Sequence, residues 1–122
     1  MLTNDMIKGL DKLSAKIKAD YCKFATKTTV GQILTMNSEN DAEFLKSRIR
    51  KFNSELQYTV GKKYIKFTSG SSCWGFIVIK DDDKFKRGDI LKAAGYKTPA
   101  RNFARGNILK DDLENIRWEG VY

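Results

Sequence analysis

FKRGDILKAAGYKTPARNFARGN, residues 85–107, is the stretch on which the reading of the fold turns. Its first half carries Phe85, Ile90, Leu91 and Ala94 as apolar positions of a helix, with Gly95 where a helix C-terminus favours a left-handed residue. Thr98 is a good N-cap, and Pro99, the chain's single proline, suits the first helical position because its missing N–H costs nothing there. The spacing predicts two helices joined by a sharp turn, the second over 99–109. On that second helix Ala100, Phe103, Ala104 and Ile108 share one side, which leaves Arg101, Asn102 and Arg105 on the other.

Upstream of this stretch the period changes. LQYTV, KKYIKF and CWGFIVIK are rich in β-branched and aromatic residues and are broken at Gly61 and TSGSS, the pattern of a strand hairpin. Before them, DAEFLKSRIRKFN has acids in its first turn and bases in its last, as the helix dipole favours, with Ser38 or Asn40 as cap. Phe44, Leu45, Ile49 and Phe52 form its inner side, and Lys46, Ser47, Arg50 and Lys51 its outer side. VGQILTM reads as a short helix with Ile33 and Leu34 inward, closed by the turn formers of NSEN. The N-terminal helix, capped by Thr3, Asn4 or Asp5, aligns Met6, Leu10, Leu13, Ile17, Tyr21 and Phe24 in one stripe. That stripe packs either on its own domain or as a coiled-coil seam of a homodimer. The expected fold is α+β and mainly helical: an N-terminal helix over 1–28, a winged helix-turn-helix with a β-hairpin wing over 29–80, and a second helix-turn-helix unit over 81–122. Gly31-Gln-Ile-Leu and Gly88-Asp-Ile-Leu open the two units with a short internal echo.

Charge and composition narrow the function. With 23 Lys and Arg against 15 Asp and Glu, the formal net charge of the 122-residue chain is +8, which points to a polyanionic partner. Residues 1–41 are close to neutral, whereas residues 43–67 carry seven bases against two acids and residues 84–110 carry eight against one. Histidine is absent, which removes the commonest metal ligand and general base together. Asp81-Asp82-Asp83 is the one acidic run that suggests Mg²⁺ chemistry, but adjacent loop acids point in different directions and no catalytic Lys or His accompanies them. The expectation is therefore a non-enzyme with no catalytic residues, no cofactor and no metal. Cys22 and Cys73 read as two buried reduced thiols. No secretion signal and no membrane span is read from the sequence, so a cytoplasmic, nucleoid-associated protein of a bacterial host is expected.

Arg pairs bidentately with guanine and Asn with adenine in the major groove, so Arg101, Asn102 and Arg105 are the expected base readers of duplex DNA. Lys84, Lys86, Lys92, Lys97 and Thr98 would hold flanking phosphates. In the first unit Lys46, Ser47, Arg50 and Lys51 take the corresponding part, with Lys62, Lys63 and Lys66 as wing contacts. As a weaker alternative, Trp74, Tyr58, Tyr64 and Phe67 would stack the bases of single-stranded nucleic acid or RNA. In the order of its elements after residue 28, and most specifically in FKRGDILKAAGYKTPARNFARGN, the chain resembles the winged-helix origin-binding modules of plasmid, phage and phage-satellite replication initiators. Related modules occur in phage repressors and in the targeting domains of homing endonucleases. That resemblance implies sequence-specific recognition of iterated origin sites, a homodimer, and further domains C-terminal to this chain, with a phage-type repressor or the targeting domain of a nuclease as the alternative.

Overall fold

The computed structural model describes residues 3–36, 39–110 and 112–121, of which residues 26–36, 39–42 and Phe44 are described by their backbone alone. Two helices, α1 (Asn4–Met36) and α2 (Glu39–Glu55), lead into an antiparallel meander of β1 (Leu56–Val60), β2 (Tyr64–Ser69), β3 (Ser72–Val78) and β4 (Ile90–Lys92). A small hairpin of β5 (Ile116–Arg117) and β6 (Gly120–Val121) follows. The α+β class is as expected from the sequence. The Thr3 hydroxyl accepts the Met6 N–H at 3.3 Å and so caps α1.

The anticipated first helix and the VGQILTM helix are one continuous element, because nothing between Gly9 and Met36 interrupts the backbone hydrogen bonding. The inward placement of Ile33, Leu34 and Phe44 and the capping role of Ser38 lie outside the described residues; α2 already begins at Glu39, ahead of Asn40.

The sheet divides two apolar layers. On one side Met6, Leu10, Leu13, Ile17, Tyr21 and Ala25 of α1 pack with Phe52, Leu56, Ile65, Phe67, Trp74, Ile77 and Ile90. Ile108, Leu113, Ile116 and Val121 from the C-terminal turns close this main core. The α1 stripe is thus spent on the protein's own core and is not open as a dimer seam, although Phe24 at its end stays exposed. A register shift at Phe67/Thr68 turns Trp74 into the core, where its indole N–H donates to the Arg117 carbonyl at 2.8 Å. On the other side Phe76, Val78, Phe85 and Leu91 form a smaller cluster.

The second helix-turn-helix unit does not form: among the described residues from 81 on there are only strands, bridges and turns. Ile90 and Leu91 are both fully buried because they point to opposite faces of the sheet, Ile90 into the main core and Leu91 into the smaller cluster. Two adjacent apolar residues satisfy a helical stripe and a doubly covered strand equally well, and here the strand pairing of Phe76 with Leu91 and Ile77 with Ile90 decides. Gly95 has no positive φ and ends no helix. Pro99 bridges Ala93, the Ala100 N–H donates to Lys92, and the Arg105 N–H donates to Ile90, so the chain runs extended beside β4. Phe103, expected inside, is 55% exposed. The Gly-x-Ile-Leu echo is therefore no structural repeat, since one copy lies within α1 and the other enters β4.

Candidate nucleic-acid interface

The strongest base-reading candidate turns out to be a staple. Asp82 Oδ1 accepts the N–H groups of Lys84 at 2.8 Å and Phe85 at 2.6 Å, and its Oδ2 pairs with the Arg101 guanidinium at 3.1 Å. Arg101 also donates to the Tyr64 hydroxyl and covers the Phe85 ring at 4.8 Å, while the Lys84 ammonium donates to the Arg101 carbonyl. The Phe85 and Lys84 amides, with help from Arg101, hold the Asp82 carboxyl down at a pKa of about 2, and Asp82 in turn raises that of Arg101. Arg101 is folded against the protein and presents no fork to a groove. Asp81 is spent likewise, accepting the Arg87 N–H at 2.7 Å. Among the described residues no cluster of three or more potential metal ligands occurs.

Asn102 and Phe103 are exposed and form a local knot with the half-buried Arg105. The Arg105 guanidinium lies 3.9 Å from the Phe103 ring centre, and its Nη2 donates to Asn102 Oδ1 at 3.5 Å. These residues remain adjacent but sit on no helix. Lys86 and Thr98 are exposed, and Thr98 gives its carbonyl to the N–H groups of Ala94 and Gly95 in the turn that carries Tyr96 and Lys97. Lys92 is half-buried at the end of β4.

Two basic surfaces survive. On α2, Lys46, Ser47, Arg50 and Lys51 share one exposed side as anticipated, with Lys46 beside Glu43 at 3.7 Å in an exposed pair. On the sheet's outer side, Gly61, Lys62, Lys63, Tyr64, Lys66, Phe76 and Lys97 line an open cleft of about 290 Å³ that contains four lysines and no carboxylate. The strand register explains the grouping: Lys66 lies opposite Phe76, and Tyr64 opposite Val78, on the face away from the helices. Tyr96, 51% exposed, lies under the Lys66 ammonium at 3.3 Å from the ring centre.

No protein-family model, curated protein or solved structure matches this chain.

Of the proposed stacking residues, Trp74 and Phe67 are core and Tyr64 is half-buried, leaving Tyr58 partly exposed on β1. Tyr96 was missed because residues 93–98 read as a helix end; an aromatic beside a lysine in a Gly-containing turn was the available signal. Asn107 was also missed. Buried, it donates to the Arg87 carbonyl and to Asp89 Oδ1 at 2.8 Å, and its Oδ1 accepts the N–H groups of Leu109 and Lys110. The cysteine expectation needs one correction: both thiols are free, but Cys22 is exposed, and only Cys73 is partly covered, where burial raises its pKa.

Proposed function

We propose that the protein binds single-stranded nucleic acid across the outer face of its sheet. The observation that carries this reading is the cleft of Lys62, Lys63, Lys66 and Lys97, free of acids in its lining and bordered by the half-exposed ring of Tyr96, which has the Lys66 ammonium over one face. Four ammonium groups attract successive phosphates, and a tyrosine face accepts any base by stacking. The loss of the 99–109 helix removes the element that was to enter a duplex groove, whereas an exposed ring on a turn suits an unpaired base. Binding is measured by fluorescence anisotropy on labelled single strands and on duplexes of equal length. The single strand binds more tightly, with a log–log salt slope of about −3 for four phosphate contacts. Lys66→Ala lowers the slope magnitude by about 0.7. Tyr96→Ala costs about 1–3 kcal/mol without changing the slope. Absence of binding at low salt, or indifference to both substitutions, rejects the reading.

One observation favours a second reading, duplex DNA held along α2: Lys46, Ser47, Arg50 and Lys51 stand together on an exposed helical side. The origin-binding role implied by the resemblance attaches to this reading. Arg50→Glu with Lys51→Glu then abolishes duplex binding while Lys66→Ala and Tyr96→Ala leave it intact.

A further inference from the structure

β1 is the outermost strand of the sheet, and nothing in its sequence protects it. LQYTV has no charged residue and no proline, the devices by which exposed edges avoid pairing. Gly61 donates its N–H to the Tyr64 carbonyl at 2.9 Å, and Gly70 donates to the Glu55 carbonyl at 3.2 Å, which fixes the parity of the β1–β2 ladder. Residues 55, 57, 59 and 61 direct their backbone groups toward β2, so Leu56, Tyr58 and Val60 direct theirs away from the sheet. On the helix-covered face of this strand, Tyr58 and Val60 are 38% and 49% exposed. Two of the six large exposed apolar residues found among the described residues thus lie on one five-residue edge.

We infer that β1 pairs antiparallel with β1 of a second copy of this chain, centred on Tyr58. In that register the N–H of Tyr58 donates to the carbonyl of the partner's Tyr58, the Tyr58 carbonyl accepts the reciprocal bond, and Leu56 lies opposite the partner's Val60. The exposed apolar side chains then cover one another on the same face. The ends match as well: Glu55 falls opposite the partner's Gly61, next to the partner's Lys62, and the two-fold repeats that contact at the other end. A two-fold axis perpendicular to the strands and to the sheet joins two four-stranded sheets into one of eight. The second copy supplies both the apolar and the charged complement from the same few residues, and the α1 stripe from Met6 to Ala25 is already buried in the protein's own core.

The test is sedimentation of the full chain over a concentration series to about 1 mM, without nucleic acid, with circular dichroism confirming that each variant is folded. The wild type self-associates, and Tyr58→Lys weakens the dimer by about tenfold or more. Glu55→Lys and Lys62→Glu each weaken it, and the double exchange restores it. Residues 55 and 62 of one chain stand at opposite ends of β1, so that rescue occurs only between chains. Ile7→Lys on α1 leaves association unchanged. A protein that stays monomeric throughout, a dimer insensitive to Tyr58→Lys, or one dissolved by Ile7→Lys overturns the inference.

Discussion

Arg101 illustrates how one residue's role depends on what stands across from it. A guanidinium two residues after a proline suits a groove, but here it meets Asp82, the Tyr64 hydroxyl and the Phe85 ring, and ties the segment after β4 to the loop before it. Arg101→Ala is therefore expected to lower the urea midpoint and leave nucleic-acid preference unaltered, the reverse of what a base reader does. The Asp82 carboxyl has its folded pKa depressed from 3.8 to about 2, so its stabilising contribution is complete above the unfolded value and is lost as pH falls through the folded one. Between pH about 4 and about 2 the wild type loses stability faster than Asp82→Asn, as unfolding midpoints at stepped pH will show. Asn107 is the second such residue, one buried amide that satisfies two donors and two acceptors. Removing it orphans buried groups at about 1–3 kcal/mol each, so Asn107→Ala lowers stability measurably in the same assay.

Among the elements, those with a single consistent signal were legible from the sequence. The α1 stripe recurs at steps of three and four over many turns, and the β1, β2 and β3 segments are rich in β-branched and aromatic residues and bounded by turn formers. β4 was not legible because Ile90-Leu91 is buried on both faces, which erases the period of two. The segment after it was misread because Pro99 and Gly95 punctuate an extended edge as readily as a helix, and the deciding hydrogen bonds run to Lys92 and Ile90. Of the candidate site, Lys62 and Lys63 in the β1–β2 turn and Lys66 on β2 followed from the hairpin itself. Their union with Lys97 and Tyr96 depends on long-range packing and could not be read locally. Two substitutions separate the element readings. Leu13→Ala opens a cavity in the main core and costs about 2–5 kcal/mol of monomer stability, where a dimer seam would instead alter association. A methyl group at Gly106 would approach the Asp112 carbonyl oxygen at 2.4 Å, so Gly106→Ala costs about 1–3 kcal/mol, although an exposed helix end would have gained from it.

For the whole molecule, the sheet is a partition. The helices and C-terminal turns occupy one side, and the other keeps the small Phe76 cluster together with the lysine cleft. Part of the basic excess is thus gathered on α2 and in the cleft, and the cleft joins it to the half-exposed ring of Tyr96. Pairing two copies along β1 about an axis perpendicular to the sheet places both clefts on the same side of one continuous surface. A strand long enough to reach both then meets the second cleft at an effective concentration in the mM range, so its affinity exceeds that of either cleft alone. The wild type is accordingly expected to show a threshold in affinity as oligonucleotide length increases, followed by a gain of about 10²-fold or more. Tyr58→Lys, whose cleft is intact, matches the wild type on short strands and shows no threshold. Anisotropy over a length series at fixed salt measures both curves. A wild-type protein that sediments as a dimer yet binds without a threshold holds its clefts on opposite sides, which rejects the perpendicular two-fold while leaving each cleft's own binding intact.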